Sequence, residues 1–383
     1  MITKKPKTRT VEEAISTLEG SGWAWLPRDI LDLILERLIQ IKDYIRFGVV
    51  CKHWRSIALH QNMQSRLESC HKLPPLMIFI NQYDNGTSVA LHSGTQDKTS
   101  RFKLKLNGFP IYDLTKDCGS SHGWLAYADA TLEVTLLNPF TGCTITLPPV
   151  RTTHGHYIKK VVLSADPSLC PDDFEALVMY MHYSCTKLIK LAHFKSGQDA
   201  WTRIDHRRME LSYAMYYRGK FLIWNDHCEI CSVDDSSKGT KVLLDYRWVL
   251  LAYRSLYVQD SRIYLVESSK GDLLLIMKGP SSEDLHINVF KLLSDLNNEF
   301  KCLKIESIGY DALFLDRNQS ICVSALEFPE CHPNSIYFVN GTFNLENQKM
   351  HWRYLSIPTL SAIWSSPTIC FENRLYQQQM RVL

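Results

Sequence analysis

The chain has little glycine, 17 of 383 residues, and no G-x-x-x-x-G-K-[ST] stretch. The backbone cradle that a P-loop uses for phosphates is therefore absent. No apolar run reaches membrane-spanning length. The opening "MITKKPKTRTVEEAIST" has no apolar core of the kind a secretory signal requires. Neither sign of charge dominates. With 43 basic and 40 acidic residues the net charge is +3, which gives no strong field for nucleic acid or an anionic membrane. These absences lead us to expect no nucleic-acid partner, no membrane partner, and a location in the cytoplasm or nucleus. "KKPK" at 4–7 is a short basic run at a terminus and reads as solvated tail before it reads as a nuclear signal.

The groupings that carry chemistry are also thin. Twelve cysteines are scattered along the chain, and without a secretory signal they read as reduced and mostly buried. The sequons at Asn85, Asn318 and Asn340 then read as turns, two of them Asn-Gly. "HCEIC", from His227 to Cys231, holds a C-x-x-C between strand-like segments. It has no second pair to complete a zinc site and no helix start to activate a thiol, so packing between strands is the better reading. "HGH" at 154–156 is placed in a loop as surface polarity. The Asp-Asp pairs at 172–173 and 234–235 sit beside Pro171 and Ser236, as turn residues do. "DHRRME" at 205–210, with Arg207 and Arg208, reads as a solvated basic loop. The serines and histidines fit no nucleophile motif. We therefore expect no catalytic residues, no cofactor and no metal.

What is present is ordinary in bulk, 45% apolar and 22% charged, and long enough for one large domain or two. It is unusual in one place. From Ile30 to Ile41, eight of twelve residues are apolar. At 100° per residue, Ile30, Ile41, Ile34, Leu38, Leu31, Leu35 and Ile39 span roughly 180° of a helix, where a single core needs a stripe only a little over 100° wide. Such an arc suits two surfaces, the protein's own core and something else. Pro27 suits the first helical position and Asp29 the positive helix end. Leu26 then sits near the N-cap, where a polar side chain is normal; a partner surface would explain it. Asp43 suits the cap of a next helix, and Gly48 interrupts it. In "VVCKHWRSIALHQ", Val50, Trp54, Ile57 and Ala58 share one side.

"KLPPLMIF" at 72–79 marks a boundary. Beyond it come short alternating runs such as "RFKLKL", "LEVTLLN", "CTITLP", "RIYLVES", "DLLLIM", "HINVFKL" and "SIYFVN", the texture of an all-β domain. "SHGWLAYA", "YRGKFLIW" and "SKGDLLLI" share a glycine followed by a strand. Their glycines, Gly123, Gly219 and Gly271, are spaced at about two units and one unit of roughly 50 residues. Trp201 and Trp352 lie near three such units apart. A four-stranded propeller blade takes about 40–50 residues, so residues 76–383 would hold roughly six.

Residues 26–58, "LPRDILDLILERLIQIKDYIRFGVVCKHWRSIA", resemble an F-box. The match is a Leu-Pro, a short spacer, an Ile/Leu-rich helix, an Asp-led turn and a Val-Cys-Lys-x-Trp-Arg segment, with Ile39 where many members have proline. Later pieces are "SHGWL" at 121–125, "NPFTG" with "LPP" at 138–149, "YYRGKF" at 216–221, "GDLLLI" at 271–276, "DALFLDRN" at 311–318, "HPNSIYF" at 332–338 and "IWSSPT" at 363–368. In this order they resemble the plant F-box proteins with a C-terminal kelch-like β-propeller. Kelch double glycines and Trp-Asp pairs are absent, so the strand count stays open.

The resemblance implies a flexible tail at 1–22, a small all-α F-box domain at 23–70 and a β-propeller at 76–383. It implies a substrate-receptor subunit of an SCF-type ubiquitin ligase. In that reading the F-box docks on a Skp-type adaptor, which joins cullin and RING subunits, and the propeller recruits an unidentified target protein. By match to the motif, the adaptor contacts are Leu26, Pro27, Ile30, Ile34, Leu35 and Leu38, with Val50, Cys51 and Trp54 behind them; some of these, Trp54 above all, could instead pack only within the helical unit. Two alternatives stay open, a propeller-scaffold enzyme and an adaptor-binding scaffold that acts outside a ligase.

Overall fold

The protein is represented by a computed structural model that describes residues 26–37, 47, 50–58, 75–80, 88–93, 99–103, 117–138, 143–204, 211–225, 229–234, 239–245, 262–279, 286–294, 300–316, 319–352 and 362–365. The N-terminal tail, Leu38, Asp43, Gly48, Asn85, Cys228, Asn318 and the basic loop at 205–210 lie outside them. The chain divides into two units, Met1–Lys72 with Cys370–Leu383, and Leu73–Ile369.

In the first unit, α1 (Arg28–Arg37) and α2 (Lys52–Ala58) are described. The Pro27 carbonyl accepts the Leu31 N–H at 3.1 Å. Pro27 therefore stands at the N-cap, one residue earlier than expected, where it supplies no capping side chain. Asp29 lies in the first turn and Arg37 in the last, each matched to the helix dipole.

The second unit is a succession of sheets. The chain first lays down β1 (Leu76–Ile80), β2 (Ser88–Ser93) and β3 (Thr99–Lys103). A second sheet follows, with β4 (Asp117–Ser121), β5 (Trp124–Ala128), β6 (Val134–Leu137) and β7 (Thr144–Leu147). The third holds β8 (His156–Leu163), β9 (Glu175–His182), β10 (Cys185–Lys195) and β11 (Thr202–Ile204). The fourth holds β12 (Leu211–Tyr217), β13 (Lys220–Asn225), β14 (Glu229–Asp234) and β15 (Gly239–Asp245). The fifth holds β16 (Arg262–Glu267), β17 (Leu273–Lys278), β18 (Ile287–Ser294) and β19 (Phe300–Ile305). The sixth holds β20 (Asp311–Leu315), β21 (Ser320–Ser324), β22 (Ser335–Phe338), β23 (Gly341–Asn344) and β24 (Lys349–Trp352). Finally β25 (Ala362–Ser365) returns to the first sheet and pairs antiparallel with β1, Leu76 opposite Ser365.

No sheet buries both of its faces alone. The apolar clusters are shared between successive sheets. Trp124, Leu136, Val161 and Val178 join the second to the third. Met179, Leu191, Ala214 and Ile223 join the third to the fourth. Leu222, Trp224, Leu275 and Phe290 join the fourth to the fifth. Ile276, Val289, Ile336 and Phe343 join the fifth to the sixth, and Phe314, Tyr337 and Met77 join the sixth to the first. β25 lies against β4, which closes the circuit. This is the packing logic of a propeller, in which face-to-face sheets supply each other's core.

The glycine motifs acquire a common place. Each lies in the turn from the first to the second strand of its sheet. His122 and Gly123 have φ of 50° and 81°, and Arg218 and Gly219 have 45° and 79°. These are the paired left-handed conformations of a two-residue hairpin. Gly271, at φ 77°, occupies the longer turn between β16 and β17. Trp201 and Trp352 both mark the last strand of a sheet.

The sixth sheet departs from the four-stranded expectation. Its order is β21-β20-β22-β23-β24, with β20 and β22 parallel. The chain makes the β20–β21 hairpin first and then returns on the other side of β20. This strand order brings β21, second in sequence, to the inner edge that β4, β8, β12 and β16 occupy in their sheets.

Candidate functional site

Two features of the described residues stand out, one in each unit. In the helical unit, Leu31 and Leu35 lie one turn apart on α1 and are fully buried with Phe47, Trp54 and Ile57. The Phe47 and Trp54 rings approach to 4.6 Å between centroids. The Cys51 Sγ accepts the Trp54 N–H at 3.4 Å and so caps α2. His53 Nε2 meets the Leu26 carbonyl at 3.2 Å and ties α2 to the start of α1. The Val-Cys-Lys-x-Trp-Arg segment is therefore a device for holding two short helices together.

This arrangement sorts the residues expected at a partner surface. Pro27 and Ile30 are exposed, Ile30 by 40%, and Val50 by 51%. Leu26, Ile34 and Cys51 are half-buried against the core. Leu35 and Trp54, at 1% and 8% exposure, lie in the helical core, because α1 turns the Leu31/Leu35 face toward α2 and Phe47; for Trp54 this is the internal packing left open above. Leu33, which the helical arc omitted, is 52% exposed. It lies about 60° from Ile30 around α1, so proximity to Ile30 was the signal that could have found it.

In the second unit, the inner strands line a cavity of about 380 Å³. Lys160, Tyr213, Trp224, Asp316, Gln319 and His122 are on its wall. Lys160 arrives there through a β-bulge. Ile158 pairs with Tyr180 and Lys160 with Met179, so Lys159 is the extra residue. The bulge shifts the alternation and moves Lys160 from the Ile158 face to the face shared by Val162 and Met179. Lys160 is only 6% exposed, and its Nζ lies 5.6 Å from the Tyr213 ring centroid. Burial lowers its pKa to about 8, with Asp316 pulling the other way and Lys159 adding to the fall. Asp316 accepts the Gln319 N–H at 2.7 Å, and Ser120 donates to Gln319 Oε1 at 2.6 Å from the second sheet. His122 borders the cavity and its pKa is lowered, by burial first, with Asp166 opposing.

The other candidates carry less. His156 is not in a loop as expected: it is buried at the start of β8, with Nδ1 2.8 Å from the Thr153 carbonyl and Nε2 3.1 Å from Lys190 Nζ. The strand begins earlier than the sequence suggested, and burial lowers the pKa of this ring. His154 is exposed. Cys231 is buried in the core between the third and fourth sheets. Asp172 and Asp173 are exposed turn residues. Among the described residues no cluster of three or more His, Cys, Asp or Glu side chains could hold a metal ion, and no helix is long and apolar enough to cross a membrane.

A short helical unit with an outward apolar patch, followed by sheets that share their cores in a closed circuit, defines an F-box protein of the propeller type. Residues 23–64 match the F-box-like family. Residues 89–356 match the KIB1-4 beta-propeller family, and the chain belongs to that family. It is 25% identical over 370 residues to F-box protein SKIP23 of Arabidopsis thaliana, which covers 85% of this chain and 86% of that protein. It is also 25% identical over 403 residues to Putative F-box protein At4g22660 of the same plant, covering 90% and 97%. A third relative, F-box/kelch-repeat protein At1g57790 of Arabidopsis thaliana, is 22% identical over 284 residues, covering 67% and 75%. The resemblance carried by residues 26–58 and by the scattered propeller pieces is therefore borne out.

Proposed function

We propose that this chain is the substrate-receptor subunit of an SCF-type cullin–RING ubiquitin ligase. The observation that carries the reading is the exposed apolar group Pro27, Ile30, Leu33 and Val50 on the F-box-like segment. Leu31, Leu35, Phe47, Trp54 and Ile57 form the core of the same unit, which leaves that group exposed. The patch docks on a Skp-type adaptor, with Leu26, Ile34 and Cys51 at its inner margin and Leu38 continuing it along the chain. Burial of such side chains gives about 25 cal/mol per Å² of apolar surface. The working boundaries are 23–70 for adaptor docking and 76–383 for the propeller, each sheet serving as one blade, with 1–22 as a tail. The propeller holds a target protein in the cytoplasm or nucleus. The subunit performs no chemistry itself. It acts by proximity, holding a target lysine near a ubiquitin-charged conjugating enzyme.

The test is co-purification of the full chain with a Skp-type adaptor, beside a Pro27→Ala/Ile30→Ala/Val50→Ala version. A one-to-one complex with the parent chain, lost in the triple variant while both stay folded, supports the reading. A folded parent chain that fails to bind the adaptor overturns it.

A further inference from the structure

One end of the third sheet gathers positive charge on a single face. In β10, Lys190 pairs with Tyr180 of β9, and Ala192 pairs with Arg203 of β11. Tyr180 and Ala192 belong to the core shared with the second sheet. Paired residues and residues two apart on a strand share a face, so Lys190 and Arg203 stand together on the side toward the second sheet. They are diagonal neighbours, about 7–8 Å apart. Both are exposed, and both spend a hydrogen bond on a neutral acceptor. His156 Nδ1 lies 2.8 Å from the Thr153 carbonyl, which places the ring proton there. Its Nε2 then accepts from the Lys190 ammonium at 3.1 Å. The Arg203 guanidinium donates to the carbonyl of Arg151, an exposed residue on the segment joining β7 to β8. Among the described residues no carboxylate forms an ion pair with Lys190 or Arg203. His156 registers the imbalance. Burial lowers its pKa, the Thr153 carbonyl opposes, and Lys190, His182 and Arg203 lower it further, with no acid among the causes. The same segment meets the β5–β6 turn through the Val150 N–H and the Leu132 carbonyl. The acid of that turn, Asp129, accepts the N–H groups of Thr131 and Glu133.

We propose that this face binds an extended acidic segment of the target protein, one carboxylate on Lys190 Nζ and a second, two residues on, at the Arg203 guanidinium. In an extended peptide such side chains share a face and stand about 6.5–7 Å apart, which matches the diagonal spacing of the two cations. An ionised acceptor makes a shorter and stronger bond than the neutral ones the cations now hold. Lysine and arginine both have further N–H groups, so neither need give up its present partner. Nucleic acid fits less well. Tyr183, 63% exposed at this end, stacks on Tyr157 at 4.8 Å between centroids, and Tyr157 packs toward the fourth sheet. That pair therefore lies on the far side of the sheet from the cations, and single strands bind where bases stack beside the charge. That the acidic segment belongs to a target rests on the receptor reading above; its binding to Lys190 and Arg203 does not.

The experiment uses the full chain and the end-capped peptide Thr-Glu-Thr-Glu-Thr, read by saturation-transfer NMR and titration at about 50 mM salt, where surface charge is weakly screened. Thr-Gln-Thr-Gln-Thr removes the charge. Thr-Thr-Glu-Glu-Thr keeps it but turns the two carboxylates to opposite faces. A short oligothymidylate presents phosphates instead. Lys190→Gln and Arg203→Gln test the site, and Lys195→Gln removes the same charge at the other end of β10, beside Asp173 and Glu175. The expected result is binding of the alternating peptide about fivefold or more over both control peptides and the oligonucleotide, weakened about tenfold in each site variant and within about twofold in Lys195→Gln. The peptide comparison uses the parent chain, so it decides the matter even where a variant fails to fold. No transfer from the alternating peptide up to about 10 mM overturns the proposal. So does equal or tighter binding of either control peptide or the oligonucleotide, and so do folded site variants that bind like the parent chain or like Lys195→Gln. Adaptor co-purification is read separately. Its failure beside intact peptide binding removes the receptor reading alone, and failed peptide binding beside an intact adaptor complex removes the acidic-segment site alone.

Discussion

Lys160 gives the sharpest quantitative test of the propeller interior. A lysine amine normally titrates near 10.5, and here burial brings it to about 8. At about 1.4 kcal/mol per pH unit, the folded state holds this charge at a disadvantage of about 3 kcal/mol relative to the unfolded chain. The sign of the pH dependence follows. Below pH 8 both states carry the proton and Lys160 adds no slope. Between 8 and 10.5 the unfolded chain keeps a proton that the folded protein has released, so stability rises with pH. Lys160→Met removes this term alone, since the tyrosines with raised pKa values, Tyr180, Tyr216 and Tyr217, remain in both proteins. Urea unfolding followed by the β-sheet circular dichroism signal, at pH 7.5, 8.5 and 9.5, gives the stability of each. We expect the parent chain to gain about 2 kcal/mol on the variant between pH 8 and 9.5. Parallel stability curves would refute the reasoning, because Lys160 would then titrate as an exposed amine.

Other outcomes are specific to single features. Leu35→Ala should destabilise the helical unit by about 2–5 kcal/mol, seen as loss of the Trp54 near-ultraviolet signal, whereas Leu33→Ala should leave that signal unchanged and weaken adaptor binding by about 1–2 kcal/mol. Gly341→Ala should destabilise the sixth sheet, because a Cβ there collides with the His351 carbonyl and lies 3.2 Å from the Trp352 Cα; unchanged thermal stability would count against the β23–β24 register. Below about pH 6.5 the unfolded chain takes up protons that His122 and His156 resist in the fold, so stability should fall with pH. His156→Asn should flatten part of that fall in a pH series of melting temperatures.

Local pattern was enough for much of this protein. The Leu-Pro and Val-Cys-Lys-x-Trp-Arg segments identify the F-box-like unit because each residue acts on near neighbours: Cys51 on Trp54, Trp54 on Phe47. The glycines at 123, 219 and 271 mark equivalent turns because positive φ is a local demand. The strands themselves were legible from alternation. Three things were decided only in three dimensions. Leu35 faces inward and Leu33 outward because the direction in which α1 meets α2 fixes which part of a wide apolar arc is covered. The sixth sheet folds back across β20, which pairs parallel with β22 while both strands contribute to the cores shared with the fifth and first sheets, a pairing that alternation within either strand does not specify. And Lys160, one of two adjacent lysines in an ordinary strand, becomes a buried cation beside Tyr213 and Asp316 only because Lys159 bulges. Periodicity records which residues alternate; a single inserted residue reverses the faces, and the reversal is visible only against the partner strand.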